Sequence, residues 1–285
     1  MSFVLGVIGG SGIYEVPGLE RIESKRVQTP FGDPSDELVR GRLGETELLF
    51  LPRHGRGHRV APHGINYRAN IAALKLSGAT HVVSLSAVGS LKEAIPPGDV
   101  VIVDQYIDLT KRRVSTFFDD DVIAHVGFGD PVCREMATAV SAAARAVGAK
   151  VHDGGTYVCM EGPQFSTRAE SHLYRSWGAS VIGMTAMPEA KLAREAELPY
   201  ATVALVTDYD CWHESEEAVS VDAVLAVLKK NAALAQNIVA KLASSLPDPT
   251  KSAASSALAG ALITDKSTIS AEAKQRLGFL IQRYL

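Results

Sequence analysis

Residues 201–212 have the sequence ATVALVTDYDCW, an apolar run followed at once by two carboxylates. The run 201–206 predicts a buried β-strand, which places Asp208 and Asp210 just past its carboxyl end. In an open parallel α/β sheet, ligands bind at this edge. A carboxylate there can accept hydrogen bonds from an amine, or deliver a proton if burial raises its pKa. An exposed acidic turn is the commoner structure for such a pair, so this stretch alone leaves both interpretations open.

Short apolar runs and longer helical patterns alternate along the rest of the chain. Strands are predicted at 3–8, 47–51, 81–85, 99–103, 156–160 and 181–184. Helices are predicted at 67–76, 133–147, 167–178, 188–197 and 271–281, and one long helix or two at 219–243. This alternation predicts an α/β fold, a single domain with a central, mostly parallel mixed sheet that is flanked by helices on both faces.

Composition along the chain predicts one main domain and a tail. The main domain is expected to cover residues 1–245. The stretch 244–256 is rich in Ser, Pro, Asp and Ala, which predicts a linker, so residues 246–285 are expected to be this linker and a C-terminal helical tail. Because apolar residues return after the linker, we expect the tail to dock on the same subunit or on a neighbouring one.

The overall composition argues against several classes of protein. A net charge of −3 over 285 residues gives no electrostatic reason to expect nucleic acid or an anionic membrane as a partner. The apolar runs are too short to span a bilayer, and residues 1–8 lack the basic segment of a signal peptide. Cys133, Cys159 and Cys211 are far apart in sequence, which predicts neither a disulfide framework nor a zinc site and favours a cytoplasmic location.

Polar or small residues also follow other predicted strands. The glycine-rich turn at 9–12 exposes backbone N–H groups that can hold an anion, although an ordinary tight turn explains it equally well, and it matches neither the dinucleotide nor the Walker A pattern. Arg53 and His54 can donate to phosphate, whereas the basic residues after them fit a surface loop. Ser86 and Thr185 add hydroxyl groups at two further strand ends.

Two more residues offer contacts for a sugar and a planar base. Phe165 follows the strand at 156–160 and can stack on a base. Met184 can pack under a sugar or base, although packing in the core is the usual role of a methionine. Together with Asp208 and Asp210, the strand ends then supply groups for an anion, a sugar and a base. Phosphorolysis of a nucleoside requires these three in one cleft.

Separate blocks of the sequence resemble one known family. The chain is similar to the 5′-methylthioadenosine phosphorylases, in the trimeric branch of the purine nucleoside phosphorylases. The last forty residues or so carry little of the resemblance, which spans residues 3 to about 245. The matching blocks are IGGSG at 8–12, TPFGDPSD at 29–36, RHG at 53–55, NYRANI at 66–71, EGP at 161–163, FS at 165–166, MT at 184–185, PE at 188–189 and TDYDCW at 207–212.

The resemblance implies a role for each matched position. Met184 would contact the ribose, and Phe165 would line the base pocket. Asp208 and Asp210 would recognise adenine. Donors from several strand ends would bind phosphate: Ser11, Arg53, His54, Ser86, Ala87, Thr185 and Thr207.

Three further positions are implied by the same resemblance. Ser166 and Val221 would tune the choice of substrate within the family. His125 would line the 5′ pocket from the adjacent subunit of a homotrimer. Residues 1–245 would then be the catalytic domain.

The implied activity is phosphorolysis of 5′-methylthioadenosine to adenine and 5-methylthioribose 1-phosphate, a step of purine and methionine salvage. Asp208 and His54 would be the catalytic residues. Inorganic phosphate would be a co-substrate, and neither a metal nor an organic cofactor is implied. A broader purine nucleoside phosphorylase acting on adenosine or inosine is the nearest alternative, and a non-catalytic nucleoside-binding protein is an alternative of another class.

Overall fold

The computed structural model describes residues 3–10, 16–119, 121–213 and 221–285. Within these ranges the chain forms one sheet of eleven strands. In chain order the strands are β1 (Val4–Gly9), β2 (Glu20–Lys25), β3 (Leu38–Leu43), β4 (Thr46–Pro52), β5 (His81–Ser90), β6 (Val100–Ile102), β7 (Gln105–Asp108), β8 (Val151–Asp153), β9 (Thr156–Cys159), β10 (Val181–Gly183) and β11 (Tyr200–Asp208). The helices in the same ranges are α1 (Tyr67–Leu76), α2 (Arg134–Ala146), α3 (Arg168–Ser176), α4 (Glu189–Glu195), α5 (Val221–Ala243) and α6 (Ala271–Ile281).

Strand β5 lies at the centre of the sheet. It pairs in parallel with β1 and β11 and antiparallel with β10. Along the main path the order is β2-β3-β4-β1-β5-β10-β9-β7, and β11, β6 and β8 extend from β5 as a branch. Six of the ten pairings between described strands are parallel. The prediction of an α/β domain with a mostly parallel mixed sheet is therefore confirmed.

Helices cover both faces of the sheet, as the sequence predicts. Leu48 and Phe50 of β4 belong to the core that packs on α2 and α5. Leu49 and Leu51 belong to the core that packs on α1, α4 and α6. Successive side chains of a strand point to opposite faces, so a strand buried on both sides shows a continuous apolar run.

The sequence patterns do not predict β2, β3, β7 or β8, and they end β5 too early. The prediction of a strand end at Leu85 is wrong, because the strand continues to Ser90. β2 is the edge strand of the sheet and β3 lies next to it, and both carry charged side chains. β7 and β8 have only four and three residues. None of the four shows the long apolar run that predicts a buried strand.

A short two-stranded ribbon joins the tail to the main domain, with segments 123–125 and 261–263. Ala124 and Leu262 form its β-bridge. His125 N donates to Ala261 O over 2.9 Å, and Ile263 N donates to Ile123 O over 2.9 Å. We call this feature the His125 ribbon.

Glu197 holds the end of the tail against the same subunit. Its buried carboxylate accepts hydrogen bonds from Leu258 N at 2.9 Å, from Tyr284 OH at 2.5 Å and from the Arg283 guanidinium. Upstream, the stretch interpreted as a linker contains two short 3₁₀ turns, Pro249–Lys251 and Ala253–Ser256. None of the helices in the described ranges combines the length and the apolar composition that a membrane span needs.

His81 connects the start of β5 to the segment that precedes the tail. Its buried ring donates from Nε2 to Pro247 O over 2.9 Å, and its Nδ1 lies 2.9 Å from Thr80 Oγ1. Burial lowers the pKa of His81 to about 4, although the hydrogen bond to Pro247 opposes this shift. The ring is therefore neutral in the folded protein at neutral pH.

We expect His81 to make the fold less stable in mild acid. Its pKa is 6.5 without the fold and about 4 within it, so the unfolded state binds more protons between these values. The stability contributed by the neutral ring is fully present above pH 6.5 and is lost as the pH falls towards 4. His81→Gln should flatten this part of the curve in urea denaturation at pH 8, 6 and 5. Equal slopes for variant and wild type would contradict this expectation.

Candidate active site

Strands β1 and β4 end next to each other. Their register pairs Gly9 with Pro52, and Arg53 N donates to Gly9 O over 2.9 Å. The glycine-rich turn therefore begins beside Arg53 and His54, as expected for parallel neighbours. Ser11 lies outside the described residues.

Arg53 is held in a buried ion pair with Glu189. The side chains are 2% and 0% exposed, and Arg53 Nε lies 2.8 Å from Glu189 Oε2. Nη2 donates to Glu189 Oε1 and Ser84 Oγ, and Nη1 donates to Leu85 O. Burial works against the charge of Arg53, but Glu189 outweighs it and holds the pKa of the guanidinium above its usual value. These contacts use four of the five N–H bonds of the guanidinium and leave one on Nη1.

His54 is neutral and its tautomer is fixed. Nδ1 lies 2.8 Å from Val60 O, and a carbonyl oxygen can only accept, so Nδ1 carries the proton and Nε2 does not. Burial lowers the pKa of His54 to about 4, and nearby Arg53 adds to this shift. The ring stacks on His58 at a centroid distance of 4.2 Å. His54 therefore offers Nε2 as a hydrogen-bond acceptor at neutral pH.

Three hydroxyl groups meet beneath the middle of β5. Ser86 Oγ lies 3.0 Å from Tyr157 OH and 3.4 Å from Thr185 Oγ1. All three residues are buried, and burial raises the pKa of Tyr157 to about 12, so its phenol keeps its proton. Ala87 follows within the strand and is exposed, although its neighbours Ser86 and Val88 are buried.

The Asp208–Asp210 pair lies beside β5, where β11 bulges. The register passes from Val206–Val88 to Asp208–Gly89, so Thr207 is the extra residue. A Cβ on Gly89 would lie 3.0 Å from Asp208 Oδ1, so the close approach of Asp208 depends on glycine at this position.

Asp210 is buried and Asp208 is half-buried, and two hydrogen bonds orient the Asp208 carboxylate. Thr207 Oγ1 lies 2.6 Å from Asp208 Oδ2, and Asp210 N donates to Asp208 Oδ1 over 2.8 Å. Burial raises the pKa of Asp208, and these two hydrogen bonds oppose the shift. Burial also raises the pKa of Asp210, against the effect of the nearby Ser171 hydroxyl. Asp210 Oδ2 is buried without a partner at hydrogen-bond distance in the described part of the chain.

The loop after β9 lies next to this pair. Cys211 Sγ donates to Ser166 O over 3.3 Å, so Ser166 and its neighbour Phe165 border the Asp208–Asp210 segment. Phe165 is 52% exposed, which leaves its ring free to meet a ligand. Both residues line an open cavity of about 640 Å³.

Met184 connects this loop to the hydroxyl groups under β5. Gly162 has a φ of +67°, and a Cβ there would lie 2.5 Å from Met184 Sδ. Met184 thus packs directly on the loop that leads to Phe165, while its neighbour Thr185 reaches Ser86. The contacts bring together most of the residues selected from the sequence.

Two of the selected residues are placed elsewhere or only in part. His125 lies in the His125 ribbon and is exposed. Val221 begins α5, and its side chain lies outside the described structure. Among the described residues, no group of three or more His, Cys, Asp and Glu side chains is arranged to hold a metal ion.

Comparison with known proteins gives the family of the chain. Residues 4–244 match the model of the phosphorylase superfamily. The S-methyl-5′-thioadenosine phosphorylase of Geobacter sulfurreducens is 55% identical over 286 residues, with 100% of both chains covered. The chain belongs to the S-methyl-5′-thioadenosine phosphorylase family. A second relative of that name, from Koribacter versatilis, is 54% identical and covers 100% of this chain and 97% of its own. The family resemblance inferred from the sequence is confirmed.

Solved structures agree with this phosphorylase fold. A methylthioadenosine phosphorylase from an antarctic soil metagenomic library superposes with a TM-score of 0.92 at 50% identity, covering 98% of this chain and 99% of its own. The methylthioadenosine phosphorylase of Schistosoma mansoni in complex with adenine gives a TM-score of 0.86 at 36% identity, with 91% and 98% covered.

Sequence reasoning missed several residues that shape this phosphorylase site. Glu189 shows in sequence only as an acidic residue at a helix start, because its partner Arg53 is 136 positions away. Tyr157 lies in a short apolar strand and shows no sign of its contact with Ser86. Arg113, within the basic run at 111–113, has the pattern of a surface loop, yet its side chain is 1% exposed. A large polar side chain next to apolar residues in the sequence is only weak evidence for a buried contact. It does not identify Glu189, Tyr157 or Arg113.

Proposed function

We propose that the chain catalyses phosphorolysis of 5′-methylthioadenosine, giving adenine and 5-methylthioribose 1-phosphate. The observation that carries the proposal is the half-buried, hydrogen-bonded Asp208 next to the buried Asp210, beside the exposed Phe165 ring. Membership of the S-methyl-5′-thioadenosine phosphorylase family supports it. The proposed reaction is a step of purine and methionine salvage.

Asp208 recognises and protonates the leaving base in this proposal. A carboxyl group whose pKa is raised by burial can donate a proton to N7 of adenine, while its other oxygen accepts from the 6-amino group. The base then leaves as neutral adenine. Asp210 Oδ2, buried and without a partner at hydrogen-bond distance among the described residues, is a further acceptor for an amine.

Phosphate is the nucleophile and attacks C1′ as the glycosidic bond breaks. Its proposed ligands come from several strand ends: Ser11, Arg53, His54, Ser86, Ala87, Thr185 and Thr207. Among them His54 offers Nε2 as an acceptor, which suits the P–OH group of monohydrogen phosphate, because its Nδ1 donates to Val60 O. Since Glu189 neutralises Arg53, and His54 is neutral, fixed dipoles and hydroxyl groups hold the anion more than net positive charge does. Such preorganised groups stabilise developing charge without reorganisation. We assign no step to a metal or an organic cofactor.

Met184 contacts the ribose and Phe165 the base in the same proposal, while Ser166 and Val221 tune the choice of substrate. His125 lines the 5′ pocket of an adjacent subunit in a homotrimer. The exposed Ile123 and Ile263 of the His125 ribbon support an apolar contact between subunits at this place. We propose a cytoplasmic enzyme with small-molecule partners, without nucleic acid or membrane. Residues 1–245 form its catalytic domain and residues 246–285 its tail.

A substrate panel tests the proposal. We expect 5′-methylthioadenosine to be cleaved in the presence of phosphate and 5′-methylthioinosine and inosine to be cleaved more slowly, by a factor on the order of 10²–10⁴ for a mismatched buried polar group. Equal or better rates with the 6-oxo substrates would support the broader purine nucleoside phosphorylase instead. Release of adenine without phosphate would indicate a hydrolase, and binding without release would indicate a nucleoside-binding protein.

A further inference from the structure

Arg113 forms hydrogen bonds with two loops of the candidate site. Its side chain is 1% exposed, and its Nε lies 3.0 Å from Glu161 Oε1. Nη2 donates to Glu161 O over 2.7 Å. Nη1 lies 2.6 Å from both Met184 O and Met187 O and 2.9 Å from Tyr67 OH, so its two N–H groups are shared among these three acceptors. One guanidinium therefore serves the loop after β9 and the loop after β10 together.

Each of these loops carries side chains that we propose contact the substrate, close to the point where the loop meets Arg113. The loop after β9 continues from Glu161 through Gly162 to Phe165 and Ser166. The loop after β10 contains Met184 and Thr185. The two loops also touch directly, because Gly162 leaves no room for a side chain against Met184. A shift of either loop relative to the other would move Phe165 away from Met184.

Glu161 extends the same support to the segment that carries Arg113. Its Oε2 accepts hydrogen bonds from Lys111 N at 2.5 Å and Arg112 N at 3.2 Å. Partial burial acts to raise the pKa of Glu161, but these bonds and Arg113 together outweigh it and hold the pKa below its usual value. The Glu161 carboxylate thus binds the backbone of the segment 111–113, and the Arg113 guanidinium binds the backbone of the loop after β9. These bonds hold the two segments together.

We propose that Arg113 is a positioning residue that sets the distance between the base and ribose contacts of the substrate site. The proposal rests on the function proposed above. It assigns Arg113 no contact with the substrate: the guanidinium acts through Met184 and through the Phe165–Ser166 loop. The phosphate ligands Arg53 and His54 lie on another loop, and Ser86 and Thr207 lie on β5 and β11.

The geometry requires a guanidinium and not merely a positive charge. Arginine presents its N–H groups in a planar, rigid fork, whereas lysine has one ammonium group on a flexible stem. A lysine at position 113 can reach one loop or the other, and it leaves buried carbonyl groups of the second loop without a donor. Displacement of substrate groups by about 1 Å can cost on the order of 10²-fold in rate.

Steady-state kinetics of Arg113→Lys test the proposal. We expect the KM for 5′-methylthioadenosine to rise about tenfold or more, with a lower kcat, because misplaced contacts weaken both binding and orientation. We expect the KM for phosphate to change by less than about threefold, since most of its ligands lie on other elements. Calorimetric titration with adenine should show that the affinity for the base falls by about the same factor as the KM for the nucleoside rises.

Arg40→Lys is the matched control. Arg40 also pairs with carboxylates and donates to a backbone carbonyl, Ser77 O, but it lies on β3 away from the site loops. This variant should keep both KM values. An unchanged nucleoside KM in Arg113→Lys, or equal rises in both KM values, would overturn the positioning role. A lower melting temperature with normal kinetics would also overturn it and leave Arg113 a structural residue. If the wild type fails to cleave 5′-methylthioadenosine, the proposed function itself is wrong, whatever the variants do.

Discussion

Asp208→Asn should lower kcat/KM for 5′-methylthioadenosine by about two to four orders of magnitude, the usual effect of losing a general acid. The asparagine amide can pair with the same edge of adenine, its NH₂ group donating to N7 and its oxygen accepting from the 6-amino group. It has no acidic proton to transfer to N7, so adenine cannot leave as a neutral base. Asparagine also tolerates O6 of a 6-oxopurine, because its amide can donate there while its carbonyl oxygen accepts from a protonated N7.

The informative measurement is the ratio between two substrates. We expect the loss with 5′-methylthioadenosine to exceed the loss with 5′-methylthioinosine by tenfold or more, on the order of 1.4 kcal/mol. Using two substrates with the same 5′ group keeps the rest of the pocket constant. Parallel losses would mean that Asp208 is structural and does not recognise the base.

Asp153→Asn is the control for the loss of a strand-end carboxylate. Asp153 ends β8, pairs with Arg145 at 2.6 Å and is largely exposed. Exposed ion pairs contribute little to stability, so this variant should keep wild-type kinetics with both substrates.

Glu189→Gln should destabilise the fold by about 3–5 kcal/mol, because it leaves the buried charge of Arg53 without its counter-ion. Both side chains are at most 2% exposed, so solvent cannot replace the lost carboxylate. For a chain of this length the change corresponds to a melting temperature lower by roughly 10 °C. Glu47→Gln is the matched control: its partner Arg40 lies 3.0 Å away, and both are about one-third exposed, so we expect less than about 1 kcal/mol.

Replacing both members of the buried pair separates stability from function. Arg53→Met with Glu189→Leu removes both charges, and buried pairs replaced by apolar residues often keep full stability. Tyr200 OH donates to Glu189 Oε1 over 2.9 Å, so Tyr200→Phe belongs in the same variant. We expect urea denaturation to show that this variant recovers most of the stability lost in Glu189→Gln. Its phosphorolysis activity should stay low, because Arg53 is absent. A variant less stable than Glu189→Gln would show that the pair itself stabilises the fold.

The sequence predicts elements well where periodicity is strong and complete. The prediction for α1 is exact, because its alanine and leucine spacing continues through the whole helix. The end of β5 is predicted five residues early, since small residues at 86–90 resemble a turn when nothing shows that strands lie on both sides. In the structure β11 and β10 pair with these residues and keep them extended.

The types of site residue are predictable, but their partners are not. Carboxylates, hydroxyl groups and basic residues after apolar runs identify the edge of the sheet where a ligand binds. The contacts that set the charge and orientation of these site residues join positions far apart in sequence: Arg53 with Glu189, and Ser86 with Tyr157. Such pairs form only in the folded chain. Local patterns also miss Arg113, because a basic run is normally solvent-exposed.

The position of β5 between β1 and β11 has a consequence for how the chain folds. β11 ends at Asp208, more than one hundred residues after β5, so its pairing must close a long loop. A nascent or truncated chain without β11 has a long apolar strand with an open edge, which favours aggregation. We therefore expect a fragment without β11 to lack the candidate site: the same late pairing that covers the edge of β5 also places Thr207 and Asp208 beside it.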